Sequence, residues 1–233
     1  MFKALPTSLF IFTVFSVFSS STRAYSLPGA LGIVARTETV NQSPGGDFDL
    51  LYQGNQAFRQ EDPALLKDLA LNGQHPPFLF LGCSDSRVSE GTVFDAKPGT
   101  LFTERNIANR YSFKDPNVRS ALAYGLGELH TKHVIVMGHY GCGGVAASIA
   151  TPPKLPWDEG TAVVQGWINP IRKLYHTTKR KEVVELRQKN RGKSEVPAPP
   201  LHDPGFRALV EENVKVSVKK LASDGIVREV RRD

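Results

Sequence analysis

The sequence predicts an α/β fold: a central, mostly parallel β-sheet flanked by helices, with an N-terminal helical arm. Two short apolar runs, at residues 78–81 and 133–137, are typical of strands buried on both faces of a parallel sheet. Segments with helical spacing of apolar residues alternate with these runs, which is the pattern of right-handed βαβ units. The chain has 233 residues and is 40% hydrophobic, which fits one substantial domain.

The elements follow one another in a simple order. Asp62 precedes Pro63, as an N-cap precedes the first residue of a helix. Gly73 then ends helical structure before the first apolar run. The pattern predicts strands at 78–81, 100–103 and 133–137, and helices at 48–59, 63–71, from Pro116 onward, 143–150, 167–175 and 206–221.

Residues 1–24 have the pattern of a secretory signal peptide. Lys3 gives a positive start, and residues 9–18 form an apolar run that is too short for a membrane helix. Small residues before Ala24 suit a signal peptidase. We therefore expect a secreted, extracellular protein with no membrane span in the mature chain.

The same segment leaves an alternative open, a mitochondrial leader, because serines are frequent and no acidic residue precedes Glu38. The sequon Asn41-Gln42-Ser43 fits secretion. With either leader, we expect a linker at 25–46 and a single domain at 47–233.

A basic stretch at residues 172–193 carries much of the formal net charge of +6. Nine basic residues there face only Glu182 and Glu185. A nucleic-acid surface would interleave aromatic residues for base stacking, and residues 177–193 contain none. We expect a solvated helix followed by a loop, and no nucleic-acid partner.

Two motifs carry chemistry, each directly after a predicted strand. The first motif is Cys83-Ser84-Asp85-Ser86-Arg87, and the second motif runs from His139 through Cys142 to Gly144. Open α/β sheets bind ligands at the carboxyl ends of their strands. Two thiolates and one imidazole form a ligand set that selects zinc and leaves a fourth position for water, as in catalytic sites.

The two cysteines could instead be purely structural residues. Cys83 and Cys142 could form a disulfide in a secreted protein, or they could be buried as small apolar residues. Neither role accounts for the position of His139 three residues before Cys142, or for Asp85 and Arg87 beside Cys83.

The sequence Cys-Ser-Asp-Ser-Arg-Val from Cys83, followed by Gly-His-x-x-Cys-Gly-Gly from Gly138, resembles the β-class carbonic anhydrases. The segment Arg-Asn-Ile-Ala-Asn at 105–109 is similar too, as is the Ala-Tyr helix that leads into the strand at 134–136. The resemblance extends over roughly residues 48–221. It implies that Cys83, His139 and Cys142 hold Zn²⁺, and that Asp85 and Arg87 form a catalytic dyad.

The resemblance implies the reversible hydration of carbon dioxide to bicarbonate and a proton, a lyase reaction. Zn²⁺ lowers the pKa of bound water from ~15.7 toward ~7, and the resulting hydroxide attacks CO2. Asp85 would accept a hydrogen bond from this hydroxide, while Arg87 keeps Asp85 ionised. A CS2 or COS hydrolase on the same scaffold and a non-catalytic zinc- or anion-binding module are the alternatives.

By position in the resemblance, several residues match the substrate cleft of the plant-like subgroup. Gly143, with Gly144, would let the backbone pass close to the metal and favour bicarbonate. Phe80 favours the form in which water, rather than Asp85, occupies the fourth zinc position. The remaining cleft positions are Gln74, Phe102, Ile107 and Tyr124.

The resemblance also concerns assembly. It implies a homodimer or a multiple of dimers, in which the N-terminal helices embrace the partner and the clefts lie at the interface. Residues 225–230 are expected to begin a further strand near the edge of the sheet.

Overall fold

The structure, a computed structural model, describes residues 46–230, and these divide into two compact units between Gln74 and His75. The predicted signal peptide or mitochondrial leader, the sequon and nearly all of the predicted linker lie outside the described residues. The secreted location and the predicted domain boundaries therefore stay predictions. Among residues 46–230, no helix has the length and apolar character needed to cross a bilayer.

The first unit contains helices α1 (Asp47–Glu61) and α2 (Pro63–Asn72). The carboxylate of Asp62 accepts a hydrogen bond from the Leu65 N–H at 3.0 Å, so Asp62 is the N-cap that the sequence predicts. No residue of either helix is buried. The apolar side chains of these two helices are therefore exposed or half-buried.

The second unit is built on three parallel strands, β1 (Phe78–Cys83), β2 (Leu101–Asn106) and β3 (His133–Val136). Their order is β2-β1-β3, so β1 is the central strand of the described sheet. Leu81 lies opposite Val136, and Cys83 lies opposite Asn106. The predicted parallel α/β fold is confirmed, and β1 is buried from its second residue onward.

Helices flank the sheet and enclose two clusters of core residues. One cluster contains both cysteines together with side chains such as Val145, Ile171 and Leu209. The other surrounds the first half of β1. The helices of this unit are α3 (Glu90–Val93), α4 (Pro116–Ala123), α5 (Gly143–Ile149), α6 (Glu159–Thr177), α7 (Lys181–Lys189), α8 (Pro204–Ala222) and α9 (Gly225–Val230).

The basic stretch is more than the predicted helix and loop: it contains the end of helix α6, helix α7 and the start of a loop. Helix α7 packs Val183 and Leu186 into the core, and its charged residues are exposed or half-buried. Residues 190–203 form turns and irregular structure before α8 begins.

The prediction of a strand at 225–230 is wrong, because this segment is helix α9. Asp224 starts the helix: its carboxylate accepts from the Ile226 N–H at 3.0 Å, and its carbonyl accepts from the Arg228 N–H at 3.1 Å. Val227 is then buried in the same core cluster as Leu221. Capping and burial thus override the strand preference of a β-branched run.

Asp224 also joins α9 to the rest of the second unit. It is 1% exposed, accepts a hydrogen bond from the Tyr111 hydroxyl at 2.7 Å, and pairs with Arg119 at 3.3 Å. Burial alone would raise the pKa of Asp224, but these hydrogen bonds and the one from the Ile226 N–H bring that pKa below its usual value. The ionised carboxylate is therefore the stable form in the fold.

We expect Asp224→Asn to lower the free energy of unfolding by about 1–3 kcal/mol at neutral pH, because a charged acceptor in a buried network is lost. The pKa of Asp224 is lower in the folded state than in the unfolded state. The carboxylate therefore stabilises the fold at pH values above its unfolded pKa of about 3.9, and this stabilisation is lost as the pH falls through the folded-state pKa. The difference between wild type and variant should therefore shrink in acid. Thermal unfolding followed by circular dichroism at several pH values measures this.

The matched control is Glu229→Gln, which neutralises an exposed carboxylate on the same helix. A neutral-pH melting temperature of Asp224→Asn equal to that of the control would contradict the network's contribution.

Candidate metal centre

The two motifs meet at the carboxyl ends of adjacent strands. Cys83 is the last residue of β1, while His139 and Cys142 lie in the turn between β3 and α5. One potential ligand atom from each of the three lies within 4.8 Å of the other two. The sulfur atoms of Cys83 and Cys142 are 3.9 Å apart, and both cysteines are buried and free rather than disulfide-bonded.

The hydrogen bonding of His139 leaves one ring nitrogen ready for a metal ion. Its Nδ1 lies 3.1 Å from the Tyr140 carbonyl, which can only accept, so Nδ1 carries the proton. Nε2 therefore has a free lone pair, and it is buried without a hydrogen-bond partner among the described residues. An orphaned nitrogen beside two sulfur atoms fits a bound cation, because buried polar atoms are rarely left unpaired.

The two thiols are strongly coupled in the metal-free site. The hydrogen bond from Cys142 is the main cause that lowers the pKa of Cys83 to about 5, although burial opposes it. The same bond, together with burial, raises the pKa of Cys142. A cation that binds between the two sulfur atoms would displace their protons, because thiolates are the ligand form of cysteine.

The backbone at Ala108 supports the Cys83 sulfur. The Ala108 N–H donates to that sulfur at 3.4 Å. Ala108 adopts the left-handed conformation, with φ 61° and ψ 32°, which is unfavourable for a residue other than glycine. The amide of buried Asn213 donates to the Ala108 carbonyl at 2.8 Å and helps to hold this turn in place.

Asp85 and Arg87 form a bidentate ion pair. Arg87 Nε donates to Asp85 Oδ1 at 2.8 Å, and Nη2 donates to Oδ2 at 2.6 Å. Chiefly through the side-chain hydrogen bonds of Arg87, the pKa of Asp85 is held well below its usual range. Arg87 Nη2 also donates to the Gly141 carbonyl at 3.1 Å, which ties the first motif to the second.

Arg105 is a site residue that the sequence analysis did not single out. Its Nε donates to the Cys83 carbonyl at 3.0 Å, and its Nη2 donates to the Asp85 carbonyl at 2.7 Å. It therefore fixes the backbone of the first motif from strand β2. The sequence did contain an indication of this role, because Arg105 is the first residue of the 105–109 segment. Parallel pairing places it opposite Gly82, one residue before Cys83.

Two glycines allow the second motif to pass close to its neighbours. Gly141 has φ 76°, and a Cβ there would lie 2.8 Å from the Leu201 side chain. A Cβ on Gly144 would lie 2.8 Å from the Ile107 side chain. Gly143, the first residue of α5, differs, because a Cβ there would meet nothing within 4 Å. Its predicted role with substrate stays a prediction.

The other predicted cleft residues fall into separate places. The ring of Phe102 lies 5.7 Å from the ring of Tyr124, so the structure brings these two together. Ile107 lies beside Gly144, close to the metal centre. Tyr124 and Ile107 are 51% and 40% exposed, more than core residues would be. Gln74 is the last residue of the first unit, and its role stays a prediction.

Comparisons with known proteins agree on one family. Residues 78–233 match the family model described as "Carbonic anhydrase". A carbonic anhydrase of Emericella nidulans is 33% identical over 187 residues, which cover 78% of this chain and 72% of the relative. A carbonic anhydrase of Candida albicans is 35% identical over 121 residues, which cover 52% of this chain and only 37% of the relative.

Solved structures give the same result. A β-carbonic anhydrase of Coccomyxa, in complex with acetazolamide, has a TM-score of 0.63 and 30% identity, covering 80% of this chain and 76% of the other. A β-carbonic anhydrase of Aspergillus fumigatus has a TM-score of 0.64 and 32% identity, covering 80% of each chain. One of two tetrameric β-carbonic anhydrases of Sordaria macrospora has a TM-score of 0.63 and 25% identity, covering 80% and 86%.

We expect one divalent metal ion per chain, bound by Cys83, His139 and Cys142. Cobalt(II) is the probe, because thiolate ligands give it a charge-transfer absorption that oxygen and nitrogen ligands do not. Cys142→Ser should weaken cobalt binding by at least about 100-fold, because a soft thiolate is replaced by a neutral hydroxyl.

The matched control is His75→Gln, which removes an exposed imidazole outside this cluster and should leave the absorption unchanged. A charge-transfer band that keeps its full intensity, with unchanged cobalt affinity, in both Cys83→Ser and Cys142→Ser would rule out this ligand set.

Proposed function

The chain belongs to the β-class carbonic anhydrases, a family of lyases, and we propose that it reversibly hydrates CO2 to bicarbonate and a proton with Zn²⁺ at this centre. Cys83, His139 and Cys142 would hold the ion. The observation that carries the proposal is the unpartnered, buried Nε2 of His139 beside two free thiols, with an ionised carboxylate next to it.

The donor set suits zinc. Two sulfur atoms and one imidazole nitrogen are borderline-soft donors, and three protein ligands are typical of a catalytic rather than a structural site. When bound, zinc lowers the pKa of a water molecule toward about 7, which makes a hydroxide nucleophile available at neutral pH.

Asp85 is placed to orient that nucleophile. Its Oδ2 lies 3.7 Å from His139 Nε2, so the carboxylate faces the ligand atoms. Because Arg87 keeps the carboxylate ionised, Oδ2 is an acceptor that can take a hydrogen bond and hold the hydrogen away from the substrate. An acceptor held in this position would leave the lone pair of the attacking oxygen free for the carbon of CO2.

The same ion pair supports the plant-like form, in which water rather than Asp85 takes the fourth zinc position. Both carboxylate oxygens of Asp85 accept hydrogen bonds from Arg87, one at 2.8 Å and the other at 2.6 Å. Direct binding of Asp85 to zinc would have to compete with this bidentate pair.

We propose that CO2 enters along apolar side chains of this face. Ile107 packs beside Gly144. Phe102 and Tyr124 contact each other, but Phe102 pairs with Leu79, four residues before Cys83, so their part in the cleft stays a prediction. CO2 is small and apolar, so a poorly hydrated wall favours it over water. Gln74 would donate a hydrogen bond to a substrate oxygen.

We expect Asp85→Asn to lower kcat/KM for CO2 hydration by about 10- to 100-fold, because the nucleophile loses a charged acceptor that orients it. Stopped-flow CO2 hydration measures the rate, and metal analysis should show unchanged zinc content.

Asp95→Asn is the matched control. It neutralises an exposed carboxylate at φ 48°, a conformation that asparagine accepts, and it should hydrate CO2 at the wild-type rate. Undiminished activity in Asp85→Asn would refute the role of Asp85. A wild-type protein that hydrolyses COS or CS2 and does not hydrate CO2 would favour the alternative activity.

We propose that the protein is a homodimer or a multiple of dimers, assembled through its N-terminal arm. In α1, Leu50 and Leu51 are 68% and 61% exposed, and Tyr52 is 56% exposed. Large apolar side chains exposed to this extent on one helix are typical of an interaction site rather than of a surface left in water. The exposure of Ile107 and Tyr124 suits a cleft that a partner subunit completes.

We expect a dimer or higher oligomer in wild-type protein and a shift toward monomer in Leu50→Glu/Leu51→Glu, because charges replace the apolar contact surface. Light scattering coupled to size-exclusion chromatography measures the mass. The control, Gln53→Glu/Gln60→Glu, adds the same charge to exposed polar positions of α1 and should keep the wild-type mass. A monomeric wild type would contradict the proposed assembly.

We also propose that residues 1–24 direct the protein to secretion, on the pattern of charge and hydrophobicity in the sequence. A mitochondrial destination is the alternative.

A further inference from the structure

A second chemically distinctive place in this chain is a cavity of about 570 Å³ between the C-terminal end of α5, helices α6 and α7, and the loop residue Val196. We refer to it as the arginine cavity, because Arg172, Arg187 and Arg191 line it together with His176. No aspartate or glutamate is among its lining residues. The cavity therefore concentrates positive charge without any carboxylate to balance it.

The charge of Arg172 is hydrogen-bonded but not neutralised. Its Nη1 and Nη2 donate to the carbonyls of Ala147, Ser148 and Ala150 and to Gln165 Oε1, at 2.6 to 3.1 Å. All of these acceptors are uncharged. Burial lowers the pKa of Arg172, which shows that its environment disfavours the unbalanced cation.

The other two guanidinium groups make fewer hydrogen bonds than the guanidinium group of Arg172. Arg187 donates from Nη1 to the Tyr175 carbonyl at 2.8 Å. The side chain of Arg191 makes no hydrogen bond or ion pair within residues 46–230. Neither group is paired with a carboxylate in that part of the chain, so both retain donors for an incoming anion.

A nearby arginine shows that this lack of counter-charge is local. Arg180, directly before α7, lies 2.7 Å from a carboxylate oxygen of Glu182, 3.2 Å from Glu211 and 3.8 Å from Glu212. Carboxylates therefore pair with Arg180 before α7, whereas none within residues 46–230 pairs with Arg187 or Arg191 near its other end.

The rest of the cavity wall is part apolar and part polar. Ile149, Pro152, Val184 and Val196 line it together with Tyr175, and so do the polar residues Thr151, Gln188 and Asn190. A bare inorganic anion would leave this surface wet, whereas a molecule with an apolar body and an anionic end would cover it. The volume lies in the range of ordinary small-molecule sites, about 300–1,000 Å³.

We propose that the arginine cavity binds a small organic dianion with an apolar body, either a phosphate monoester or a dicarboxylate. Planar guanidinium groups match the oxygen geometry of both classes. The cavity is separate from the metal centre: Arg172 contacts the C-terminal carbonyls of α5, while Cys142 caps the other end of this seven-residue helix, about 10 Å away. The proposal therefore does not depend on the proposed catalysis.

The experiment is isothermal titration calorimetry on the full zinc-loaded protein in a low-chloride buffer. Phenyl phosphate represents the phosphate monoesters, and phenylsuccinate represents the dicarboxylates. We expect at least one of them to bind once per chain with a Kd below about 1 mM. Whichever probe binds identifies the class of anion.

The variant Arg187→Gln/Arg191→Gln should weaken binding by at least about tenfold, because charge-assisted hydrogen bonds are lost. Neither residue belongs to the metal centre, so CO2 hydration should be unchanged. The matched control, Lys181→Gln/Lys189→Gln, removes the same charge from exposed positions of α7 that do not line the cavity and should keep the wild-type Kd.

The proposal would be overturned by no heat of binding with either probe up to about 10 mM, or by equal weakening in the cavity variant and the control. Binding that the cavity variant leaves unchanged, as for an anion at the metal centre, would overturn it as well. None of these results depends on whether the protein hydrates CO2.

Discussion

The constraint on which this structure depends is the convergence of two buried thiols and one imidazole at the ends of two hydrogen-bonded parallel strands. The sulfur atoms of Cys83 and Cys142 lie 3.9 Å apart, and Nε2 of His139 is buried without a hydrogen-bond partner among the described residues. A buried polar atom without a partner is costly in a dry interior. A divalent ion bound there would contact all three donor atoms at once.

The surrounding residues hold this convergence in position through the backbone. Arg105 bonds the carbonyls of both Cys83 and Asp85, and Arg87 joins Asp85 to the Gly141 carbonyl. Ala108, in an unfavourable left-handed conformation, directs its N–H at the Cys83 sulfur. The site therefore has two levels: groups that would contact metal or substrate, and groups that fix their geometry. Catalysis by orientation needs the second level as much as the first.

The sequence predicts elements and motifs that depend on neighbouring residues in the chain. It does not predict features that depend on contacts between residues far apart in the chain. The apolar runs before Cys83 and His139 mark strands, and parallel pairing of those strands brings the motifs together. Only β1 is buried as predicted, because His133 of β3 is exposed and Val134, Ile135 and Val136 are half-buried. The segment 225–230 was expected as a strand, because its β-branched residues say nothing of the cap that Asp224 provides or of the buried place of Val227. Helix α6 begins well before the predicted residue 167, since Asp158 caps it by accepting from the Thr161 N–H. Arg105 acts across strands, so spacing along the chain does not mark it.

X-ray absorption at the zinc edge of the purified protein tests the central claim most directly. We predict two sulfur ligands at about 2.3 Å and one imidazole nitrogen at about 2.0–2.1 Å around each zinc ion, with a light atom in the fourth position. A zinc shell without sulfur, or a zinc-free protein in which Cys83 and Cys142 are oxidised to a disulfide, would contradict this claim.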